Sequence, residues 1–314
     1  MTRAAPYAAL SPDVVLAAVE ASGLWSDGRL LTLNSYENRV FQVGLEDGGF
    51  IVAKFYRPGR WTDDAIVEEH AFARELAEAE IPVVAPRVFE GHTLLRHEGF
   101  RYAIYPRRGG RAPSLESTDQ LEWLGRLLGR MHAVGAREPF HHRAVLDRAA
   151  MIDGPARAAL ASHLVPVHLA GAYRDAVTRL DDAVANRLEA VGPVRRIRLH
   201  GDCHPGNVLW TDAGPHFVDL DDARMGPAVQ DLWMLAADEA MLDALLEGYG
   251  QFRDIDPAER ALVPALRAMR QVQYGGWIAE RWHDPAFPAA FPFAGEPRWW
   301  EQHIADLNDA AEAL

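Results

Sequence analysis

Two short polar stretches carry the residue types that phosphoryl transfer needs. His200–Asn207 reads HGDCHPGN, and Phe217–Ala223 reads FVDLDDA. Asp202 could accept the proton of an attacking hydroxyl group. The side-chain oxygens of Asn207 and Asp219 could hold Mg²⁺ against phosphate oxygens, because this ion often takes only one or two protein oxygens. The spacing therefore predicts a phosphotransfer site with Asp202 and Asp219 as catalytic carboxylates and Asn207 and Asp219 as metal ligands.

Apolar runs flank the first of these stretches. Ile197–Leu199 precedes it and Val208–Trp210 follows it. Short apolar runs beside turn-forming residues are typical of β-strands, so we expect the arms of a β-hairpin with the polar residues in its loop. Asp219 follows a predicted strand, His216–Val218, whose end would direct the carboxylate toward that loop.

One cation stands out in a chain with a formal charge of −13. Lys54 is the only lysine, and it lies inside a predicted apolar strand, Phe50–Phe55. A solvent-facing lysine is the alternative, but Val-Ala-Lys-Phe resembles the kinase motif in which a strand lysine contacts the α and β phosphates of the nucleotide. A helix capped by Thr62 is predicted next, and it carries Glu68 and Glu69. We expect one of these glutamates to form an ion pair with the lysine.

Taken in order, the motifs resemble those of the aminoglycoside phosphotransferase-like kinases. That family combines HGD-x-x-x-x-N with a later strand that ends in Asp, as LHGDCHPGNVLW and FVDLDDARMGPAVQDLW do here. The likeness covers Leu30 to Trp300 and includes the segments LNSYENRVFQV, VAKFYRPGRWT, LGRMH, PAVQDLWML and DPAFP. Several long motifs in one order are much harder to match by chance than one short pattern.

The resemblance implies an α/β (α+β) protein-kinase-like fold with two lobes. Residues 1–106 would form a small N-terminal lobe with an antiparallel sheet and one prominent helix. Residues 107–314 would form a larger, mainly helical lobe with the catalytic and metal-binding loops. The length agrees, because 314 residues exceed the size at which a single core usually stops growing. ATP and Mg²⁺ would bind in the cleft between the lobes.

The same resemblance assigns the nucleotide contacts. Lys54 would contact the α and β phosphates, with Glu69 as its partner. Ser35 would lie near the phosphates, because the loop NSYEN stands where protein kinases have a glycine-rich loop, and short polar residues can also present backbone N–H groups. Adenine would hydrogen-bond the backbone of a hinge around Tyr105 and Arg107.

The implied activity is that of a serine/threonine protein kinase, with a role in the bacterial stress response. A small-molecule hydroxyl is the alternative acceptor, because the broader family includes many such kinases and an acidic cleft could bind a cationic metabolite. No activation segment ending in A-P-E follows Asp219, which removes the usual platform for a peptide substrate. A nucleotide-binding regulator without turnover is a further alternative, although the set of Lys54, Asp202, Asn207 and Asp219 is complete.

Composition and charge narrow the classes of partner. Hydrophobic residues make up 49% of the chain and charged ones 25%, as in a globular protein, and no apolar run is long enough to span a bilayer. The charge of −13 argues against nucleic-acid binding, which needs a basic surface. The single cysteine, Cys203, excludes an intramolecular disulfide and agrees with a reducing cytoplasm. We expect a cytoplasmic monomer without membrane or nucleic-acid partners.

Other interpretations of the central motif are weaker. His200, Cys203 and His204 could be imagined as zinc ligands together with nearby aspartates, but their spacing fits no familiar zinc pattern. Cys203 directly follows a potential base and is badly placed to be activated by it as a nucleophile, so packing is the default role. His200 is expected to brace the loop through backbone contacts.

Structural roles are also expected for several polar residues around the motif. His132 should be a hydrogen-bonding residue at a helix end, and Asp231 should orient a helix or the catalytic loop. Asp221 is the reserve candidate for the metal site. Arg224 could neutralise Asp221 or Asp222, since carboxylates this close together repel one another.

Overall fold

A five-stranded antiparallel sheet occupies the first third of the chain in the computed structural model, which describes residues 5–314. The order across the sheet is β1-β2-β3-β5-β4. Its strands are β1 (Ser26–Leu33), β2 (Arg39–Leu45), β3 (Phe50–Phe55), β4 (Leu95–His97) and β5 (Phe100–Pro106). Residues 1–4, the start of the predicted N-terminal lobe, lie outside the described range.

Two helices accompany this sheet, and both begin at a polar cap that the sequence contains. Helix α1 (Pro12–Glu20) starts after Ser11, whose hydroxyl accepts a hydrogen bond from the Val14 N–H. Helix α2 (Asp63–Glu78) starts after Thr62, which accepts one from the Ala65 N–H. Helix α1 buries its apolar face in the core of the sheet, whereas α2 contributes residues to the core of the helical part.

The rest of the chain is mainly helical, with four short strands. The helices are α3 (Thr118–Gly135), α4 (Gly154–Ala161), α5 (Ala170–Val191), α6 (Val229–Trp233), α7 (Glu239–Gly250), α8 (Pro257–Arg260), α9 (Val263–Arg281), α10 (Ala286–Ala290) and α11 (Pro297–Glu312). The strands are β6 (Ile197–Leu199), β7 (Val208–Thr211), β8 (Gly214–Phe217) and β9 (Arg224–Gly226). A large core built from these helices is separate from the core of the first sheet, so the predicted α+β organisation is confirmed.

The pairing of the short strands differs from the expectation. The runs on either side of the HGDCHPGN stretch are strands, but they do not pair with each other: β6 pairs with β9, and β7 pairs with β8. The polar stretch therefore joins two separate two-stranded ribbons. This arrangement places the β8–β9 connection, with the second polar stretch, directly beside the first.

Within residues 5–314, no helix combines the length and the apolar character needed to cross a membrane.

Candidate active site

A cavity of about 290 Å³ lies between the sheet and the helical part of the chain. Strands β2 and β3 supply apolar walls through Val40 and Val52, and β7 supplies Leu209 from the other side. Most of the residues predicted for nucleotide and metal binding line this cavity, namely Ser35, Lys54, Glu69, Tyr105, Asn207 and Asp219. The sequence thus predicted a set of side chains that the fold brings together from six separate segments.

Lys54 projects from β3 and is only 6% exposed. Its Nζ lies 2.8 Å from Oδ1 of Asp219 and 3.4 Å from Oδ1 of Asp221. Burial alone would lower the pKa of this ammonium group, but the two carboxylates outweigh burial and raise it well above its usual value. Lys54 therefore carries its positive charge in the cavity, next to the loop that contains Asp219 and Asp221.

The predicted ion pair between Lys54 and Glu69 is absent among the described residues. The lysine contacts Asp219 and Asp221 instead, because the turn after β8 places two carboxylates within its reach. Glu69 is 2% exposed, and burial raises its pKa to about 7, although the charge of Lys54 opposes the shift. Its Oε2 has no hydrogen-bond partner among the described residues.

Glu68, the other candidate partner of Lys54, binds backbone N–H groups instead. Its carboxylate accepts hydrogen bonds from the backbone N–H groups of His142 at 2.8 Å and of Arg143 at 2.9 Å. It thereby ties helix α2 to the segment after α3. Of the two glutamates, only Glu69 lines the cavity, and neither forms the predicted ion pair with Lys54 within residues 5–314.

The loop from His200 to Asn207 is held by buried hydrogen bonds. Asp231, at the start of α6, accepts the backbone N–H groups of His200 and Gly201, each at 2.8 Å. His132 at the end of α3 places Nε2 3.0 Å from the same carboxylate. The structural roles expected of Asp231 and His132 are confirmed by these contacts.

A glycine is required at position 201 of this loop. Its φ is +83°, and a Cβ there would lie 2.1 Å from the carbonyl oxygen of Asp222. The His200 ring braces the same region, with Nε2 2.9 Å from the carbonyl oxygen of Val218. The two polar stretches of the sequence are thus in direct contact through their backbones.

Asp202 has a side-chain partner near each of its carboxylate oxygens. Arg270 on α9 places Nη2 2.6 Å from Oδ1, and His204 places Nε2 3.5 Å from Oδ2. Burial raises the pKa of Asp202, but the hydrogen bond with His204 and the charge of Arg270 outweigh it, so the net shift is downward. Asp202 is therefore ionised, as a proton acceptor must be, but it lies beyond the residues that line the cavity itself.

Asn207 and Asp219 offer two oxygen ligands to a metal. The amide nitrogen of Asn207 donates to the carbonyl oxygen of Asp202 at 3.0 Å, so the amide oxygen is the atom left for a cation. The Asp219 side chain is 49% exposed and follows a backbone with φ +60°, in the left-handed region. Within residues 5–314, no group of three or more His, Cys, Asp or Glu could hold a metal, so this pair suits an ion that takes its other ligands from phosphate and water.

Asp221 and Asp222 belong to a buried ionic cluster rather than to the open part of the site. The guanidinium of Arg60 contacts both carboxylates, and Arg224 contacts Asp222 at 2.5 Å. The amide of Asn38 donates to Asp221 at 3.1 Å. Burial raises the pKa of Asp221, but Arg60 and Lys54 outweigh burial and hold it at about 2. Because Asp221 is buried and its Oδ2 is held by Arg60 and Asn38, it is a less accessible metal ligand than the half-exposed Asp219.

The family of the chain follows from comparison with known proteins. A model of the phosphotransferase enzyme family matches residues 30–263. The chain belongs to this phosphotransferase family. The phosphotransferase is 44% identical to stress response kinase A of Escherichia coli strain K12 over 98% of this chain and 94% of that protein. It is 45% identical, over the same shares, to the serine/threonine protein kinase RdoA of Salmonella typhimurium strain LT2.

Solved structures of other kinases share the fold of this phosphotransferase. An amicoumacin kinase in complex with AMP-PNP, Ca²⁺ and Ami superposes with a TM-score of 0.73 at 17% identity, covering 94% of this chain and 91% of that chain. A microcompartment-associated aminopropanol kinase gives a TM-score of 0.70 at 19% identity, covering 93% and 98%. These neighbours confirm the predicted two-lobed kinase-like fold.

Some residues of the phosphotransferase site differ from the sequence prediction or were missed by it. Arg107, whose backbone was predicted to contact adenine, is not among the residues that line the cavity; its Nε donates to Gln42 at 3.2 Å, and the neighbouring Arg108 lines the cavity instead. Arg60 and Arg270 were not predicted, although they contact three of the central aspartates. Arg270 belongs to no motif identified in the sequence, and only the fold brings it from α9 to Asp202.

Proposed function

We propose that this phosphotransferase transfers the γ-phosphoryl group of ATP to a Ser or Thr hydroxyl group of a protein. One observation carries the proposal: Lys54, Asn207 and Asp219 share a cavity, and Asn207 is hydrogen-bonded to Asp202. The names of the relatives at 44% and 45% identity, a stress response kinase and a serine/threonine protein kinase, support phosphorylation of serine and threonine in a stress response. The AMP-PNP in the complex of the amicoumacin kinase supports ATP as the donor.

The proposed roles follow from position and charge. Lys54 would bind the α and β phosphates, and the backbone of the loop that carries Ser35 would cover the phosphates from the sheet side. The backbone around Tyr105 and Arg107 would receive adenine. Mg²⁺ bound by Asn207 and Asp219 would neutralise the negative charge that the phosphate oxygens bring together. Glu69 would restrain Lys54 once Asp219 is engaged by the metal.

The chemical step needs one proton acceptor. Asp202 orients the hydroxyl and accepts its proton as the hydroxyl oxygen forms a bond to the γ phosphorus. The bond from that phosphorus to the β–γ bridging oxygen breaks, and ADP leaves with the bonding electrons. The products are a phosphoester, ADP and one proton, which passes from the carboxyl group to solvent. We further propose that residues 1–106 and 107–314 are the two lobes and that the enzyme works as a cytoplasmic monomer.

The test separates a protein acceptor from a small-molecule acceptor. Wild type, Asp202→Asn and Asp212→Asn are incubated with Mg²⁺ and γ-labelled ATP, together with either the protein fraction or the small-molecule fraction of a bacterial lysate. Asp212 lies exposed after β7, so this variant controls for the same chemical change outside the site. We expect wild type and Asp212→Asn to label serine and threonine in proteins, and Asp202→Asn to label at least about a hundredfold less.

Two results would contradict the proposal in different ways. Label that enters only the small-molecule fraction would make the protein a metabolite kinase. ATP binding without transfer to either fraction would make it a nucleotide-binding regulator.

A further inference from the structure

The helix that supplies the partner of Asp202 is basic in a strongly acidic protein. The chain has a formal charge of −13, yet α9 contains Arg267, Arg270 and Arg281 and only one acidic residue, Glu280. The Arg270 side chain is 31% exposed, and its Nη2 lies 2.6 Å from Oδ1 of Asp202. The candidate proton acceptor is therefore paired with a cation of the protein itself, and neither residue lines the nucleotide cavity.

This pair determines which acceptors can approach. A hydroxyl group must reach an oxygen of Asp202, but Arg270 contacts Oδ1 and His204 lies 3.5 Å from Oδ2. An acceptor with an amine beside its hydroxyl would bring a positive charge against Arg270 and be repelled. An acceptor with a carboxylate beside its hydroxyl would instead compete for the guanidinium and draw it away from Asp202, which would free Oδ1 for the hydroxyl.

Arg270 has the capacity to bind such a carboxylate. A guanidinium has five N–H donors in a fork that matches a carboxylate in two-point contact, and this one makes a single side-chain hydrogen bond to the described residues, with Asp202. Its partial exposure leaves the remaining donors accessible. No other acidic partner is recorded for it within 4.0 Å among residues 5–314.

Aromatic side chains continue the surface beyond Arg270. Tyr274 follows one turn along α9, and its ring lies 6.4 Å from the ring of Phe291. Tyr36, in the loop between β1 and β2, lies 5.0 Å from Phe291, and both Tyr36 and Phe293 are exposed by more than a third. We refer to Tyr36, Tyr274, Phe291 and Phe293 as the aromatic shelf. A peptide could lie along this shelf with its acceptor residue at Asp202.

We propose that Arg270 is a specificity-determining residue that selects acceptor peptides carrying an Asp or Glu next to the phosphorylated Ser or Thr. The inference rests on the proposed function and deepens it, because it names the charge of the acceptor. Arg270 binds the acidic side chain of the peptide, and the aromatic shelf contacts the residues on either side of the acceptor. When Arg270 binds that side chain it releases Asp202, so Asp202 becomes free to accept the proton only when the preferred peptide is bound.

The experiment uses three peptides that differ only beside a single acceptor serine, where they carry Glu, Gln or Lys. The kcat/KM of phosphorylation is measured for the full-length wild type and for Arg270→Gln, Arg270→Lys and Arg270→Glu. We expect wild type to prefer the Glu peptide over the Gln peptide by about tenfold, as one charge-assisted hydrogen bond would give. Arg270→Gln should lose this preference, Arg270→Lys should keep part of it, and Arg270→Glu should favour the Lys peptide.

Arg267→Gln is the matched control. Arg267 lies one turn earlier on α9, with its guanidinium donating to the carbonyl oxygen of Ala236 at 3.3 Å and lying over the ring of Trp233. This variant removes the same charge from the same helix and should keep the wild-type order of peptides. An equal loss of preference in Arg267→Gln would overturn the proposal, because the effect would then come from the general field of the helix.

Other outcomes separate this inference from the proposed function. Equal rates for all three peptides in wild type would overturn the role of Arg270 and leave the protein kinase activity standing. A higher KM for ATP in Arg270→Gln, with the peptide preference intact, would show that Arg270 serves the nucleotide and would also overturn it. Transfer to no peptide and to no lysate protein would remove the proposed function and this inference with it.

Discussion

Glu69 is a buried acidic residue that lacks an ion pair with a permanent cation among residues 5–314. Its carboxylate is buried beside the cavity, and one oxygen has no hydrogen-bond partner among the described residues. The nearest nitrogen of His70 lies 3.7 Å away, and burial lowers the pKa of that imidazole to about 3, so it supplies no positive charge. Lys54, which could compensate, is engaged by Asp219. Glu69 therefore keeps its proton up to about pH 7, well above the pKa of a solvent-exposed glutamate.

This protonation predicts a pH-dependent stability. The pKa of Glu69 is raised from about 4.5 to about 7 in the folded protein, so between these values the folded state binds more protons than the unfolded state. The contribution of Glu69 to the free energy of unfolding is then greatest below pH 4.5 and is lost as the pH rises through 7, by at most about 3 kcal/mol. Glu69→Gln should abolish this loss in denaturant titrations without nucleotide between pH 5 and pH 8.

The control for that prediction lies on the same helix. Glu78→Gln changes an exposed glutamate at the end of α2 and should retain the wild-type dependence of unfolding on pH. If Glu69→Gln and wild type lose the same free energy of unfolding over this range, Glu69 is ionised throughout, and the protonated state proposed for it is wrong.

Substitution of Asp219 should mainly abolish activity, whereas substitution of Asp221 should mainly lower stability. Asp219 is half exposed, so Asp219→Asn should change the free energy of unfolding by less than about 1 kcal/mol while phosphoryl transfer and its Mg²⁺ dependence are lost. Asp221 is buried against Arg60 and Lys54, so Asp221→Asn should cost about 3 kcal/mol by leaving buried cations uncompensated. Unfolding curves and transfer assays on the same two preparations check both statements. A large loss of stability in Asp219→Asn would contradict the assignment.

At the scale of the elements, the catalytic loop depends on how closely α3 and α7 approach. A Cβ on Gly125 of α3 would lie 2.0 Å from the carbonyl oxygen of Leu245, and one on Gly248 of α7 would lie 2.0 Å from the carbonyl oxygen of Glu122. Both collisions are with backbone, which cannot move aside as a side chain can. The close approach also positions His132, at the end of α3, against Asp231 and Tyr249.

Gly125→Ala should therefore destabilise the fold by about 3 kcal/mol or more, because the two helices must separate to admit the methyl group. The matched control is Gly171→Ala in the first turn of α5, where nothing lies within 4 Å of the added Cβ. That change should stabilise the protein by about 0.5 to 1 kcal/mol, since alanine favours the helix. Thermal and denaturant unfolding of both variants distinguishes the two effects; similar shifts would show that the α3–α7 contact tolerates a methyl group.

The helices and strands were easier to predict from the sequence than the way in which strands pair and charged side chains meet. Thr62 as a cap and Phe50–Phe55 as a strand follow from local residue patterns, and both are observed. The partner of β6 was mispredicted because the three residues of β9 lie far along the chain and carry no apolar signal of their own. The ionic partners of Lys54 and Asp202 depend on distances between remote segments, which periodicity does not encode.

For the whole molecule, a buried ionic network joins the sheet part to the helical part. Asp284, just before α10, accepts hydrogen bonds from Arg39 of β2 at 2.8 Å and from Arg57 after β3 at 2.7 Å. Two residues before Arg39, in the β1–β2 loop, Glu37 contacts Arg281 at 2.6 Å and accepts a hydrogen bond from the indole N–H of Trp277 at 2.7 Å. The end of the β1–β2 loop that leads into β2 is thus held by residues of α9 and of the segment before α10.

Asp284→Asn should test whether this network sets the position of the loop. The variant keeps the shape of the side chain but leaves Arg39 without its buried counter-charge and Arg57 with that of Glu37 alone, so we expect a loss of about 3 kcal/mol in the free energy of unfolding. Because Arg57 also donates to the carbonyl oxygens of Tyr36 and Glu37, the loop should loosen, and the KM for ATP should rise more than kcat falls. Asp306→Asn, on the last helix, removes one charge outside this network and should change neither quantity appreciably. Loss of stability with an unchanged KM for ATP would show that Asp284 only joins the two parts of the fold and does not hold the loop in place for the nucleotide.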